Sequence, residues 1–462
     1  MTKSEARYWG AQLSPTGLAK AVTGGKYQRP PHIRLFDALA VQIEQGKLRR
    51  LVVNVPPQHG KSEFWSKYFC AWYLGRHPDR KIIMSTYADS YAQSWSREAR
   101  NILTEHGQEF YGLQVASDSS AVDWWKVRGN AGGMAAVGTG GQATGKGAHV
   151  FVCDDPVKGP EDAMSPTMQR RNVDWYRSVA TTRLQPNGAI VVIQTRWDRD
   201  DLTGKLLNPA EFPDADTWTV ISLPALALPG DLLGRQPGAA LWPERYGLAE
   251  LEEKRIALGS RWFEALYQQN PTDPQTGIFK REWFPIIERE AVPAEGRLVR
   301  YWDLAHSKAD KHNADPDWTE GGLVKFHAGV WYVLDFKSIR DTALAVERLI
   351  QYTALEDSAA VPIRIEQEPS AGKSLMEHYR MRVLPGYDFQ PITSKGSKVV
   401  EAAPVAAAAE AGNVRLVRGT WNAALLDQLE RFPLGAHDDK VDVLSGAFRF
   451  LSARRTLESF VV

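Results

Sequence analysis

Short apolar runs alternate with longer segments of helical spacing through the first half of the chain. The stretch LVVNVPPQHGKSEFW (51–65) predicts a buried strand that ends in a polar turn and continues into a helix. Aromatic residues at i, i+3, i+4 and i+7 predict that this helix packs one apolar face on a sheet. These residues are Trp65, Tyr68, Phe69 and Trp72. Gly75 and Pro78 indicate its end, and a strand over 81–87 and a helix over 88–103 follow.

Three further apolar runs predict buried strands. They are HVFVCDD (149–155), AIVVIQT (189–195) and WTVISLPAL (218–226). Strands that alternate with helices indicate a parallel sheet covered by helices on both faces. The first half of the chain is therefore predicted to be an α/β domain.

The alternation breaks at 267–296, where Pro, Gly and polar residues are frequent, and this segment is predicted to be a linker. The predicted organisation is a first domain over 1–266, a second over 297–455 and a tail over 456–462. The second domain is predicted to be α/β with a mixed sheet. Its predicted strands are 297–305, a hairpin over 319–339, and 361–368, and its predicted helices are 341–355, 372–382, 397–411 and 437–451.

Composition limits the class of protein. The length of 462 residues suits two domains, and 43% hydrophobic residues exclude a disordered chain. Both cysteines, Cys70 and Cys153, lie in apolar runs, which argues for a reducing compartment without a disulfide framework. No stretch has the apolar length of a signal peptide core or a membrane span, so a cytosolic protein is expected. The net charge of +1 gives no argument for nucleic acid, so any such affinity must come from local patches.

Gly60, Lys61 and Ser62 have the sequence of the end of a phosphate-binding loop. Such a loop directs backbone N–H groups and a helix N-terminus at an anion, while the lysine reaches the β and γ phosphates and the serine holds Mg²⁺. The strand before the triplet and the helix after it provide the required context. The usual pattern has a glycine five residues before Gly60, and Val55 occupies that position.

Two later strands end in matching chemistry. The run VFVCDDP places Asp154 as a metal carboxylate and Asp155 as a candidate base, as nucleotide hydrolysis requires. Solvated acids that cap a strand would explain one carboxylate more easily than two. The run AIVVIQT ends in Gln194 and Thr195, where a side chain could sense the γ-phosphate. Three strand ends in this order favour an ATPase.

Carboxylates on separate elements of the second half predict an RNase H-like nuclease, which needs three or four acids around two Mg²⁺ ions. Asp303 lies within an apolar strand, where an unpaired carboxylate is costly. Glu366 and Glu368 are two residues apart on one strand, and either could be the second acid. Three more acids open the last helix, where ordinary capping would also explain them: Asp438, Asp439 and Asp442. Lys395 and Lys398 are candidate phosphate contacts, and His306 is expected near the metals.

The run PPQHGKS, followed by VFVCDDP and then by IQTRWDRDDLTG, resembles the ATPase of tailed-bacteriophage large terminase subunits over about residues 50–210. Members of that family often have Pro-Pro in place of the first glycine, as at Pro56 and Pro57. The acids of the second half resemble the terminase nuclease. One departure is Asp155, because related motors often have Glu at the position of the base.

The resemblance implies a role for each matching residue. The nucleotide-binding residues would be Pro57, Gln58, His59, Gly60, Lys61, Ser62, Asp154 and Thr195, with Thr195 as the coupling position. The metal ligands would be Ser62, Asp154, Asp303, Glu368 and Asp439. The catalytic residues would be Asp155, Asp303, Glu366, Glu368, Asp438 and Asp439.

The resemblance also implies a function. The chain would hydrolyse ATP with Mg²⁺ to drive double-stranded DNA into a procapsid, and would cut concatemeric DNA with Mg²⁺ or Mn²⁺. Its partners would be DNA, a portal protein, a small terminase subunit and further copies in a ring, in the cytoplasm of an infected bacterium. Two other hypotheses stay open: a helicase-like ATPase whose second domain only binds, and a structural subunit with relic motifs.

Overall fold

A computed structural model describes residues 2–141, 147–212, 218–271, 277–305, 318–367, 373–393, 397–435 and 437–453. The chain divides into two compact units. The first contains Met1–Glu253 and Trp262–Thr272, and the second contains Lys254–Arg261 and Asp273–Val462. No helix in the described ranges has the length and apolar character needed to cross a bilayer.

The first unit is built on one sheet, with eight strands in the part of the chain that the structure describes. The strands are β1 (Arg50–Asn54), β2 (Lys81–Thr86), β3 (Val115–Ser120), β4 (Trp124–Val127), β5 (Gly133–Gly138), β6 (Ala148–Asp154), β7 (Leu184–Gln194) and β8 (Thr219–Ser222). Their order across the sheet is β3-β4-β5-β2-β6-β7-β1-β8. The strand predicted at the start of 51–65 and those predicted over 81–87, 149–155 and 189–195 are confirmed, whereas the predicted strand over 218–226 is shorter and ends at Ser222.

The sheet is mixed, and the prediction of a parallel sheet is wrong at one edge. Strands β5, β2, β6, β7, β1 and β8 run parallel to one another, but β4 is antiparallel to both β3 and β5. Antiparallel neighbours need only a short turn, whereas parallel neighbours need a crossover. The sequence pattern did not predict β3 because VASDSS is polar, nor β4 because it has only four residues.

Helices cover both faces of this sheet. They are α1 (Lys3–Leu13), α2 (Pro15–Val22), α3 (Pro31–Glu44), α4 (Cys70–Arg76), α5 (Asp89–Tyr111), α6 (Pro160–Met164), α7 (Pro166–Trp175), α8 (Thr181–Arg183) and α9 (Leu202–Leu206). A π-helical segment, Glu63–Phe69, precedes α4. Leu51 and Val53 face one core cluster with α3 and α4, and Val52 faces another with α7 and α9. The prediction that the sheet is buried on both faces is therefore confirmed.

Helix α10 (Leu248–Leu266) contains Gly259 with φ of 72°, so its path is interrupted there. The second unit then forms a sheet with seven strands among its described residues. These are β9 (Ile286–Ile287), β10 (Arg297–Asp303), β11 (Thr319–His327), β12 (Val330–Ile339), β13 (Ile363–Gln367), β14 (Phe389–Thr393) and β15 (Val414–Val417), in the order β14-β13-β10-β11-β12-β15-β9. Because β11 is antiparallel to β10 and β12 while β13 is parallel to β10, the sheet is mixed, as predicted.

The helices of the second unit are α11 (Ala343–Asp357), α12 (Lys373–His378), α13 (Lys398–Glu410), α14 (Asn422–Arg431) and α15 (Asp439–Ala453), and a π-helical segment, Tyr379–Val383, continues α12. The hairpin and the four predicted helices are confirmed, whereas β9, β14, β15 and α14 were not predicted. Trp302 packs into a core with α11 and α12. Tyr301 lies on the opposite face, where a Cβ at Gly446 would come within 2.2 Å of its ring. Glycine at this position therefore lets α15 approach β10 closely.

Candidate functional site

The carboxyl ends of β1, β7 and β6 lie side by side in the first unit. Strand β7 separates the other two, with Val53 opposite Ile193 and Asp154 also opposite Ile193. The turn after β1 carries Lys61, and the residues after β7 and β6 are Thr195 and Asp155. Since parallel strands end at the same edge of a sheet, the three predicted motifs meet at one place.

The turn between β1 and α4, which the sequence predicts to be a phosphate loop, has no glycine at its start. The N–H of Val55 donates to Gln194 O at 3.2 Å, and its carbonyl accepts from Thr195 Oγ1 at 3.2 Å. Left-handed φ angles occur instead at Gln58 (62°) and Gly60 (80°). Val55 is not among the described residues with a positive φ, so a β-branched residue is tolerated there.

The side chain of His59 supports this loop from inside. It is fully buried, and its Nδ1 lies 2.8 Å from Pro57 O. His32 of α3 is also buried, and its Nε2 lies 3.0 Å from the carbonyl of His59. Burial lowers the pKa of His59 to about 4 and that of His32 to about 3. Both rings are therefore neutral at physiological pH, and the His59 ring stabilises the loop instead of lining the cleft beside it.

Lys61 connects the three strand ends. Its Nζ donates to Thr195 Oγ1 at 2.8 Å and lies 2.9 Å from Asp155 Oδ2. The side chain of Lys61 is only 7% exposed. An ammonium held at this point is suited to neutralise phosphate oxygens.

Asp154 is fully buried between two hydroxyl groups. Ser62 Oγ donates to its Oδ1 at 3.0 Å, and Ser66 Oγ donates to its Oδ2 at 2.7 Å. Burial, followed by the negative charge of Asp155, raises the pKa of Asp154 to about 7. Oxygen ligands of this kind fit Mg²⁺, which prefers one or two carboxylates together with water and phosphate oxygens.

Ser66 was not predicted from the sequence as a site residue. It lies four residues after Ser62, so the two hydroxyls project from the same face of the helical segment. That spacing is a signal that could have identified Ser66.

Asp155 adopts a left-handed backbone conformation with φ of 44°. Its N–H donates to Ile193 O at 2.8 Å, and its carbonyl accepts from Tyr87 N at 3.2 Å. The carboxylate also accepts from the N–H of Thr195 at 3.0 Å. Contacts with both neighbouring strand ends thus hold this sparsely populated conformation, a feature that is frequent at functional sites.

These residues line a cleft of about 660 Å³. The lining residues include Pro57, Gln58, Gly60, Lys61 and Ser62, together with Asp155 and Thr195. Several lining residues had not been singled out from the sequence: Tyr87, Tyr91, Trp95, Trp197 and Arg245. They come from loops and helix starts that only the sheet order brings to this edge.

The second unit brings several of its predicted carboxylates together. Asp303 is the last residue of β10, whereas the sequence predicted that it lies within the strand. Trp302 pairs with Ile365 of the parallel strand β13. The next residues along the two strands, Asp303 and Glu366, are therefore close together. Burial raises the pKa of Asp303 well above its usual range, and the charges of Glu366, Asp442 and Asp439 raise it further. Mutual repulsion of this kind is typical of acids that share a site for cations.

The acids at the start of α15 have different partners. Lys398 of α13 lies 2.6 Å from Asp438 Oδ1 and 2.7 Å from Asp442 Oδ2. Asp439 Oδ2 instead accepts from Trp318 N at 3.5 Å. Burial raises the pKa of Asp442 to about 7, although Lys398 opposes this shift. Asp442 therefore lies in one group of acids with Asp303 and Glu366, although the sequence analysis favoured Asp438 and Asp439 as the catalytic acids of this helix.

A buried ion pair fixes the first turn of α15 on the sheet. The Nζ of Lys440 is bonded to a carboxylate oxygen of Glu320 on β11 and lies 3.1 Å from Ser338 Oγ on β12. Ser338 also donates to Glu320 Oε2 at 2.6 Å. Asp439, next to Lys440, is thereby held near Asp303. No local pattern indicated this pair, because Glu320 and Lys440 resemble ordinary strand and helix charges.

Glu368, His306 and Lys395 lie outside the described residues. Within the described ranges, no group of three or more His, Cys, Asp or Glu side chains is close enough to hold a metal ion. The carboxylates of Asp303, Glu366, Asp439 and Asp442 have the hard oxygen chemistry that Mg²⁺ prefers. The described residues therefore fit this ion in donor type, but do not form a complete set of ligands by themselves.

Two family models match the chain. The model for "Terminase large subunit, T4likevirus-type, N-terminal" matches residues 52–286, and that for "Terminase RNaseH-like domain" matches residues 300–449. The curated proteins include no match. The N-terminal part of the chain is thus the terminase ATPase domain, and the C-terminal part is RNase H-like.

Several solved structures are similar to this chain. The large terminase from a thermophilic bacteriophage in complex with ADP is 13% identical, with TM-score 0.45, over 85% of this chain and 90% of that chain. The HK97 bacteriophage large terminase is 13% identical, with TM-score 0.38, over 93% and 92%. The large terminase nuclease from thermophilic phage G20c with bound magnesium is 16% identical, with TM-score 0.29, over 38% and 97%. Because the first family model alone matches more than half of the 462 residues, this chain belongs to the phage large terminase subunit family.

Proposed function

We propose that this chain hydrolyses ATP to drive double-stranded DNA into a procapsid, and that it cuts concatemeric DNA with a metal-dependent endonuclease. The observation that carries the proposal is the contact of Lys61 with both Thr195 and Asp155, which joins the ends of β1, β7 and β6. The first compact unit would be the motor domain and the second the nuclease, with a boundary between residues 266 and 297.

In the ATPase, the phosphate loop and Lys61 bind the β and γ phosphates. Ser62 and Asp154 would hold Mg²⁺, which neutralises phosphate charge when it is bound. The phosphates draw the Lys61 ammonium away from Asp155, so that this carboxylate becomes free to accept a proton. Thr195 contacts both Lys61 and, through its N–H, Asp155, and it would report the state of the phosphate to β7.

Hydrolysis is a single displacement. The oxygen of a water molecule forms a bond to the γ phosphorus, and the bond from that phosphorus to the bridging oxygen breaks. ADP leaves with the electron pair of the broken bond, and Asp155 accepts a proton from the water. ATP and water thus yield ADP, inorganic phosphate and a proton.

In the nuclease, Asp303, Glu366, Asp439 and Asp442 would hold divalent ions, Mg²⁺ or Mn²⁺, together with Glu368. These ions activate water and stabilise the leaving oxygen of the DNA strand when they are bound. Asp303 is central to this arrangement, because burial and the charges of the neighbouring acids Glu366, Asp442 and Asp439 raise its pKa. Lys398 would contact a phosphate of the strand.

The family also supports proposals about the partners and location of this chain. The proposed partners are a portal protein, a small terminase subunit and further copies of this chain in a ring. The proposed location is the cytoplasm of the infected host and, transiently, the portal. Ring assembly would raise the rate of hydrolysis, so the isolated chain is expected to be a weak ATPase.

The test uses the full chain with ATP, linear double-stranded DNA, plasmid and Mg²⁺ or Mn²⁺. Lys61→Ala should lose ADP binding and ATP hydrolysis but keep plasmid cleavage, whereas Asp303→Asn should lose cleavage but keep ATP hydrolysis. Lys126→Ala, an exposed lysine of β4, is the control for both assays. Unchanged cleavage by Asp303→Asn would overturn the nuclease and favour a helicase-like ATPase. Unchanged hydrolysis by Lys61→Ala would overturn the motor.

A further inference from the structure

A turn after β8 packs against the phosphate loop. Trp242 and Tyr246 form an antiparallel bridge, and the N–H of Tyr246 donates to Trp242 O at 2.8 Å. The Tyr246 ring stacks on His59 with 5.2 Å between ring centroids. A Cβ at Gly60 would lie 3.6 Å from the Trp242 ring. The Trp242–Tyr246 turn therefore packs against the loop at two positions. Tyr246 lies against His59, and Trp242 lies beside Gly60.

Arg245 projects from this turn into the cleft. Its guanidinium lies over the Trp242 ring, 5.2 Å from the centroid, and Nη2 donates to Gln58 Oε1 at 3.4 Å. Arg245 lines the same cleft as Lys61 and Ser62. The stacked ring and the Gln58 amide thus orient a planar cation beside the positive-φ residue of the phosphate loop.

The charge of Arg245 is not balanced by an acid. Throughout the described part of the chain, no carboxylate lies within ion-pair distance of it. By contrast, Lys67 of the cleft pairs with Glu98 at 2.9 Å, and Arg196 at the end of β7 pairs with Asp201 at 2.7 Å. Lys158 also lines the cleft without a described acidic partner, and it is exposed, as Arg245 is, but it makes no described hydrogen bond. Arg245 is therefore the oriented cation without a counter-charge among the described residues of this site.

We propose that Arg245 is a further catalytic residue, which contacts the γ-phosphate of ATP from within the same chain and stabilises the charge that develops during hydrolysis. This inference rests on the proposed ATPase function. A guanidinium can donate two parallel hydrogen bonds to phosphate oxygens, and its charge neutralises the loose transition state of phosphoryl transfer. The Gln58 contact is long for a hydrogen bond, so a phosphate can replace it at little cost.

The test compares binding of ADP with binding of ADP plus aluminium fluoride, a mimic of the transferred phosphoryl group, to the full chain in the presence of Mg²⁺. Isothermal titration calorimetry is run on wild type, Arg245→Ala and Arg245→Lys. Arg128→Ala, an exposed arginine that follows β4, is the matched control. Because an arginine that acts on the transferred phosphate contributes mainly in the transition state, Arg245→Ala should bind the ADP and fluoride complex about 100-fold more weakly.

ADP alone should bind Arg245→Ala within about threefold of wild type, and Arg245→Lys should recover part of the loss, because charge without the planar fork satisfies only part of the interaction. Equal affinity of Arg245→Ala and wild type for the fluoride complex would overturn the inference. An equal loss for both ligands would also overturn it, because that result indicates a role in loop structure. If wild type binds no ADP, the proposed ATPase and this inference both fail, whereas normal wild-type binding with an unaffected Arg245→Ala leaves the ATPase intact.

Discussion

Lys61 and Asp155 form an ion pair of 2.9 Å between two segments that follow non-neighbouring strands, because β7 lies between β1 and β6. Asp155 is 25% exposed and Lys61 only 7%, so the carboxylate of this pair is nearer to solvent than the ammonium. Thr195 contacts both partners. The same ammonium can therefore neutralise either the carboxylate of the candidate base or a phosphate.

Asp155→Asn tests this exchange. The variant should bind ADP at least as tightly as wild type, because Lys61 no longer has a competing carboxylate. Hydrolysis should fall by about 100-fold or more, because general-base catalysis contributes on that order. Both are measured on the full chain with DNA present, and Asp118→Asn, an exposed acid of β3, is the control. Retained hydrolysis would show that Asp155 does not accept the proton.

His59 predicts a dependence of stability on pH. Its pKa is about 4 in the folded chain, below the ordinary value of 6.5. Between pH 6.5 and 4 the unfolded chain therefore binds a proton that the folded chain does not, so the free energy of unfolding falls as the pH is lowered. Each pH unit in this window lowers it by about 1.4 kcal/mol for this group. The free energy of unfolding is measured with urea at several pH values from 7.5 to 5. It should change less steeply with pH in His59→Asn than in wild type, and an equal pH dependence would contradict the prediction.

The Glu320 and Lys440 pair predicts a large loss of stability when one partner is removed. Both side chains are buried, with exposures of 0% and 7%. Lys440→Met leaves an unpaired buried carboxylate and should lower the free energy of unfolding by about 3–5 kcal/mol. The double variant Glu320→Gln with Lys440→Met should recover much of that loss. Urea unfolding followed by tryptophan fluorescence measures both, and a single variant as stable as the double variant would argue against the pair.

Lys398→Met tests the role of the ammonium between Asp438 and Asp442. Without it, the two carboxylates repel each other and the nearby acids, so the melting temperature at pH 7.5 should fall. Mg²⁺ should then raise the melting temperature of the variant more than that of wild type, because the ion replaces the missing positive charge. Differential scanning fluorimetry with and without Mg²⁺ measures this difference. Lys280→Met, which removes an exposed lysine of the same unit, should behave like wild type.

Local patterns were sufficient for many elements. The aromatic spacing after Lys61 predicted the helix that covers β1, and apolar runs predicted β6 and β7. Buried strands and amphipathic helices each have a characteristic pattern of hydrophobic residues in the sequence. The short strands β14 and β15 and the polar strand β3 escaped prediction. Their pairing with neighbours far away in the sequence stabilises them, and that pairing leaves no local pattern.

Residue chemistry along the chain predicted the identity of most site candidates: the Gly60, Lys61 and Ser62 triplet, the paired acids after β6, and the acid at the end of β10. It did so because each motif needs particular side chains at fixed positions after a strand. Only the tertiary structure decided that β7 separates the two motif strands, that left-handed residues at Gln58 and Gly60 replace a glycine at Val55, and that Arg245 lies beside them. These relations depend on contacts between distant segments, whose energies no local window of sequence contains.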